Sequence, residues 1–251
     1  MEPDRRDELK QVVRQVQTHI RLLRSFGVKA VAAAEKPMAQ KPVHMDSDPV
    51  SGPMGDPAMH LQELQSRIGQ CTRCPLSSGR KNVVFGQGDP RASLVLVGEG
   101  PGQEEDRTGR PFVGEAGQLL EKILKAMGLS REQVYICNVV KCRPPKNRVP
   151  TDEEMSTCGR FLNEQLAIIK PRHILALGTT AGRFLLDTHM SIGKLRGRFF
   201  THALTGAKVM PTYHPAYLLR NESAKRPVWD DVRQVMADME HPRRSLDHER
   251  D

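Results

Sequence analysis

Four cysteines are spaced for metal chemistry. Cys71 and Cys74 form a CxxC pair, 67 residues separate Cys74 from Cys142, and Cys158 stands alone further on. Four thiolates converging from separate parts of a chain can hold a tetrahedral zinc or an iron–sulfur cluster. A zinc ribbon pairs two CxxC knuckles and this chain has only one, so the spacing suits a cluster better than a zinc finger. The other reading is four unligated cysteines behaving as small hydrophobes. Against it, Cys142 lies in Lys-Cys-Arg-Pro-Pro at 141–145, a setting hardly expected in a core. No signal-peptide pattern opens the chain, so a reducing cytoplasm is the expected location and a disulfide framework is not expected. Cys137 ends an apolar run and reads as a buried strand residue.

Four further groups could act on a ligand. The loop Gly98-Glu99-Gly100-Pro101-Gly102 precedes an acidic stretch that includes Glu104, Glu105 and Asp106. Its glycines allow close backbone approach. It lacks the GK[ST] end of a phosphate loop, its spacing is wrong for a dinucleotide fingerprint, and no helix is expected to open at once after it. Phe112, in Gly-Arg-Pro-Phe-Val-Gly at 109–114, is either a stacking platform for a flat ligand or a hydrophobic plug. Asn138 can offer a donor and an acceptor side by side, enough to read a base edge, or it can cap a strand end. The run His214-Pro215-Ala216-Tyr217-Leu218-Leu219-Arg220 offers a donor, or a structural histidine, beside leucines that could be exposed. Apolar wedges next to arginine are what base-opening proteins use.

The elements that must position these groups alternate. Short apolar runs at 93–97, 134–140, 173–177 and 208–212 read as strands, and helical patterns fall at 116–127, 151–169, from about 179, and at 229–239. Thr151 followed by Glu154 reads as a capping box. The expected fold is α/β, a three-layer α/β/α arrangement on a central, mostly parallel four-stranded sheet. An N-terminal helical extension is expected at 1–27, where an a/d stripe either docks a protein partner or lies on its own domain. A flexible linker is expected at 28–60, the folded domain at 61–240 and a disordered tail at 241–251. The net charge of +8 points to an anionic partner, most often nucleic acid. No apolar run approaches the roughly 18 residues of a membrane span.

Taken together, GEGPG at 98–102, GRPFVG at 109–114, N-x-x-K-C at 138–142, HPAYLLR at 214–220 and the four cysteines closely resemble the iron–sulfur, family 4 uracil-DNA glycosylases. The resemblance covers about residues 65–240. It implies hydrolysis of the uracil N-glycosidic bond in single- and double-stranded DNA; a monomer on DNA is the default expectation. It implies a structural [4Fe-4S] cluster on Cys71, Cys74, Cys142 and Cys158. Phe112 would stack on the flipped uracil, Asn138 would bind its Watson–Crick edge, and His214 would stabilise charge on O2. Glu105 would crowd the C5 position and exclude thymine, within a substrate pocket bordered by Gly98 and Gly102. Leu218 would fill the gap in the stack, with Arg220 near the backbone. Family 1 relatives carry a water-orienting Asp at the position of Gly100; here the loop backbone, assisted by Glu99, would hold the water. The related branch that is trapped on abasic DNA has a basic inserted loop with a histidine after the first motif. No such loop follows Phe112-Val113-Gly114, so turnover is expected. The alternatives are a broader glycosylase active on hypoxanthine or xanthine, and a metal-bearing module that binds nucleic acid without cleaving it.

Overall fold

The computed structural model describes residues 56–240. The N-terminal helix, nearly all of the linker and the C-terminal tail expected from the sequence lie outside the described residues. The first described helix, α1 (Pro57–Ile68), opens four residues ahead of the position where the folded domain was expected. Asp56 caps it, its side chain accepting from the Ala58 N–H, and Pro57 supplies a first residue that needs no donor.

Six strands form one sheet in the order β1-β3-β2-β4-β6-β5. The inner four are β3 (Tyr135–Asn138), β2 (Leu94–Gly98), β4 (His173–Leu177) and β6 (Lys208–Thr212), and all their pairings are parallel. These are the four strands expected from the apolar runs. The sheet is larger than expected because a two-residue strand joins each edge antiparallel, β1 (Gln87–Gly88) and β5 (Phe200–Thr201). Two residues are too short to leave a periodic signal.

Alternation along the strands sorts the core into two layers. Val95, Val97, Cys137, Ile174, Ala176 and Val209 face α1, α4 (Asp152–Ile169) and α5 (Thr179–Leu186). Leu94, Leu96, Ile136, Leu175, Leu177 and Met210 face α3 (Glu115–Ala126), α7 (Pro215–Leu218) and α8 (Lys225–Glu240). A sheet covered on both faces requires strands apolar on both faces, and β2, β3 and β4 are buried at every residue. The short α6 (Ile192–Leu195) leads into β5.

One expectation about the loops is overturned. A helix does open at once after the glycine loop: α2 (Gln103–Thr108). Glu104, Glu105 and Asp106 occupy its first turn, where carboxylates complement the helix dipole, and Glu105 reaches back to accept from the Gly102 N–H at 3.1 Å. The acidic stretch is thus a helix start.

The chain leaves β2 through α2 and α3 to reach β3 on one side, then passes through α4 to β4 on the other side. That reversal opens a crevice beyond the carboxyl ends of the strands, where ligands bind in open α/β sheets. Gly98, Asn138, Gly178 and His214 all stand there, at or just past the ends of β2, β3, β4 and β6.

Candidate active site

Parallel register sets Gly98 directly beside Asn138. The missing side chain at Gly98 is the floor of the site. A Cβ there would lie 2.4 Å from Asn138 Oδ1 and 2.6 Å from Phe112 Cζ, closer than packed atoms tolerate. The pairing of β2 and β3 continues beyond the strands, with Val139 N–H donating to Gly98 O at 2.9 Å and Val140 N–H to Glu99 O at 3.1 Å. This ladder fixes the glycine loop, and Gly100 packs closely against Val140.

Asn138 is 1% exposed, and its Oδ1 has no hydrogen-bond partner. Buried acceptors are rarely left unpaired. This unpaired amide oxygen stands beside an aromatic ring at the ligand end of a parallel sheet, where it can accept from a ligand donor. Its backbone is held from beneath by Lys141, whose Nζ donates to Asn138 O at 2.7 Å and to Gln165 Oε1 at 2.6 Å. Gln165 in turn donates to Phe85 O and Tyr135 Oη. Burial pushes the Lys141 pKa down.

Phe112 is buried among Leu94, Leu96 and Leu120, so it fills the core, and the edge of its ring reaches the space over Gly98. Its ring stacks on His214, with centroids 5.6 Å apart and planes 30° apart. His214 follows β6, and its Nδ1 accepts from the Ala216 N–H at 3.1 Å, capping α7. The proton of the neutral ring therefore sits on Nε2. Burial, reinforced by Arg220 and opposed by Glu105, pushes the His214 pKa down to about 4.

Glu105 serves three backbone donors. Its Oε2 accepts from Gly102, and its Oε1 accepts from Val113 and Gly114, both at 2.9 Å. It ties the glycine loop to the Phe112 loop. Glu99 accepts from the Thr180 hydroxyl, which stands in the first turn of α5. The leucine pair divides. Leu218 is 2% exposed and packed in the core, whereas Leu219 is 46% exposed and Tyr217 42%. Tyr217 stacks on Tyr213 at 5.2 Å. Arg220 is exposed at the end of this turn.

The four cysteines line a pocket, together with Ile68, Arg80, Lys141 and Phe161. Cys142 is 6% and Cys158 7% exposed, so the polar neighbours of Cys142 do not keep it out of the core. The reason is local: β3 runs on past Asn138 and carries the next turn inward beside α4. Two N–H groups point at sulfur, Arg80 Nη1 at 3.4 Å from Cys142 Sγ and Lys141 N at 3.2 Å from Cys158 Sγ. Burial raises the Cys142 thiol and raises Cys158 to about 11, a cost that a bound cation would reverse. No group of three or more His, Cys, Asp or Glu among the described residues is gathered as a single-ion site. The donor set is nevertheless that of a thiolate-ligated group: four sulfurs around one pocket, with N–H donors to sulfur. Cys137 is a separate, buried residue of β3, as expected.

Lys141, Thr180 and Arg80 were not singled out from sequence. Lys141 stands inside N-x-x-K-C and Thr180 lies in the helix start three residues past β4, so position marked them; nothing local marked Arg80.

Fold and site together define a class: a doubly covered parallel sheet that presents an aromatic ring, an amide and a histidine at its carboxyl end. The sequence profile of the uracil DNA glycosylase superfamily matches residues 85–233. A type-4 uracil-DNA glycosylase of Thermotoga maritima is 53% identical over 175 residues, covering 68% of this chain and 91% of that protein. Type-4 uracil-DNA glycosylases of Pyrobaculum aerophilum and Saccharolobus solfataricus are 43% and 41% identical, over 66% and 70% of this chain and 88% and 85% of their own. The chain belongs to the uracil-DNA glycosylase superfamily, in its type-4 branch.

Proposed function

We propose that this protein excises uracil from DNA by hydrolysing the N-glycosidic bond, leaving an abasic site for base excision repair. The unpaired Asn138 Oδ1 carries the reading. It accepts from uracil N3–H while the amide nitrogen donates to O4; cytosine, with no N3–H and an amino group at C4, leaves both partners mismatched. Phe112 stacks on the base, and Gly98 leaves Asn138 and Phe112 room to stand side by side at the sheet end. Glu105, committed to backbone donors, makes a fixed wall beside the ring. Extraction from the duplex needs a few kcal/mol of unstacking energy. Leu219 and Tyr217 fill the vacated gap in place of Leu218, because theirs are the side chains presented outward.

As the C1′–N1 bond breaks, its electron pair passes to the uracil ring and charge builds on O2. The Nε2–H of neutral His214 donates to that oxygen. A fixed donor of this kind is worth roughly 3–4 kcal/mol. A water forms the new bond to C1′ and gives its proton to Glu99, whose carboxylate is steadied by Thr180. Cys71, Cys74, Cys142 and Cys158 would hold a [4Fe-4S] cluster. So held, it would tie the segment after α1, the turn after β3 and helix α4 into one body.

The test is an oligonucleotide carrying one uracil, incubated with the protein and treated with alkali, beside thymine, hypoxanthine and xanthine controls. Strand cleavage at uracil is expected, reduced at least about 100-fold in His214→Ala and Asn138→Ala. Full activity in both variants overturns the site assignment. No cleavage by folded, DNA-binding protein overturns the activity.

A further inference from the structure

Phe112 has φ +52°, the left-handed region that bulky side chains avoid. Such a conformation persists only where its surroundings over-determine it. The loop itself is neither strand nor helix, so its carbonyls need partners from elsewhere. One side chain supplies two of them. Arg131 donates from Nη1 to Phe112 O at 2.7 Å and from Nη2 to Pro111 O at 2.5 Å. Two successive carbonyls are thus gripped by one planar guanidinium, whose fork matches paired acceptors. Arg131 is itself confined: its side chain is 13% exposed, and Glu121 of α3 lies 3.5 Å away.

The same carbonyl is walled from the other side. A Cβ at Gly117 would lie 2.0 Å from Phe112 O, so α3 packs directly on the loop backbone. Beyond Phe112, the next two N–H groups are taken by Glu105. The loop is therefore held on its carbonyl side by Arg131 and on its amide side by Glu105. Arg131 touches only backbone here, and it comes from the turn between α3 and β3.

We propose that Arg131 is a positioning residue: it clamps the left-handed Phe112 backbone and thereby sets the plane on which the extruded base stacks. This rests on the reading of Phe112 as the stacking platform. A lysine cannot replace it, because one ammonium on a flexible stem does not present two donors in a fixed plane.

The experiment is a double-mutant cycle on the full-length protein, reading single-turnover excision of uracil beside the melting temperature. The variants are Arg131→Ala, Arg131→Lys, Phe112→Ala and the Arg131→Ala/Phe112→Ala pair. Misplacing a stacking group by an ångström costs about 100-fold, so Arg131→Ala is expected to slow excision roughly 10- to 100-fold. Arg131→Lys recovers only part of this. With Phe112 already alanine, the Arg131 change is expected to cost nothing further in rate, the coupling that marks two groups acting as one. An equal loss in both backgrounds, with Phe112→Ala slow by itself, overturns the clamp alone. Wild-type excision by Phe112→Ala overturns the platform reading and the clamp with it. If Arg131→Ala does not fold, Arg131→Lys runs the same cycle with the same criteria.

Discussion

His214 meets two demands with its two ring nitrogens. Nδ1 is used up by the α7 amide, which leaves Nε2 with the proton, and burial keeps the ring neutral at ordinary pH. A neutral donor gives a hydrogen bond to developing charge with no proton to transfer, which suits a leaving group that departs as an anion. Gly98 makes an equally narrow demand. Gly98→Ala places a methyl group where Asn138 Oδ1 and Phe112 Cζ already stand. Excision by this variant is expected to fall by at least about 100-fold while the far-ultraviolet circular dichroism stays native. A variant with wild-type rate would show that the base does not enter between these side chains. The leucine pair teaches a related point. The residue pattern offers both Leu218 and Leu219 and the family resemblance picks Leu218, but the turn of α7 buries Leu218 and leaves Leu219 facing solvent.

At the scale of elements, α4 links the two sites. Its cap was legible: Thr151 Oγ1 accepts from Glu154 N at 3.2 Å, and Glu154 Oε2 accepts from Thr151 N at 2.8 Å. Arg148 adds an ion pair to Glu154 at 2.7 Å that the sequence pattern did not announce. One turn further on, the helix carries Cys158, then Gln165, which meets Lys141. Thr151→Ala is expected to cost about 1 kcal/mol of stability, measured by urea unfolding, since one cap acceptor is lost. An unchanged unfolding midpoint would mean that Glu154 and Arg148 hold the helix start without it. Strand β3 is the counterpart of α4: the strand and the turn after it carry Tyr135 to Gln165, Asn138 to the sheet end beside Phe112, Lys141 beneath it and Cys142 to the thiol pocket.

For the whole molecule, two histidines with lowered pKa values set the response to acid. Burial pushes His202 down to about 4, and His214, chiefly by burial, to about 4, from an ordinary value of 6.5. A histidine with a lower pKa folded than unfolded contributes stability that is complete above 6.5. That contribution is lost as pH falls from 6.5 toward 4, because the unfolded chain takes up the proton first. The melting temperature is therefore expected to fall steadily between pH 7 and pH 4, and His202→Gln to flatten the slope. A melting temperature constant over that range, or a slope unaffected by the variant, would contradict this assignment.

What the sequence by itself determined was local. The four inner strands, helices α3, α4 and α8, the Thr151 cap, the buried Cys137 and the motifs at the strand ends all follow from apolar periodicity and short-range chemistry. The start of α2 was missed because carboxylates read as solvated loop also suit a helix N-terminus. The edge strands were missed because two residues carry no period. What only the tertiary structure decided was partnership. Parallel register placed Gly98 beside Asn138, the crossover through α4 brought Cys158 to a common pocket with Cys71, Cys74 and Cys142, and the turn before β3 delivered Arg131 to the carbonyls of Phe112. Periodicity reports which face of an element is buried, but a hydrogen bond between residues far apart in the chain exists only once packing has brought them together.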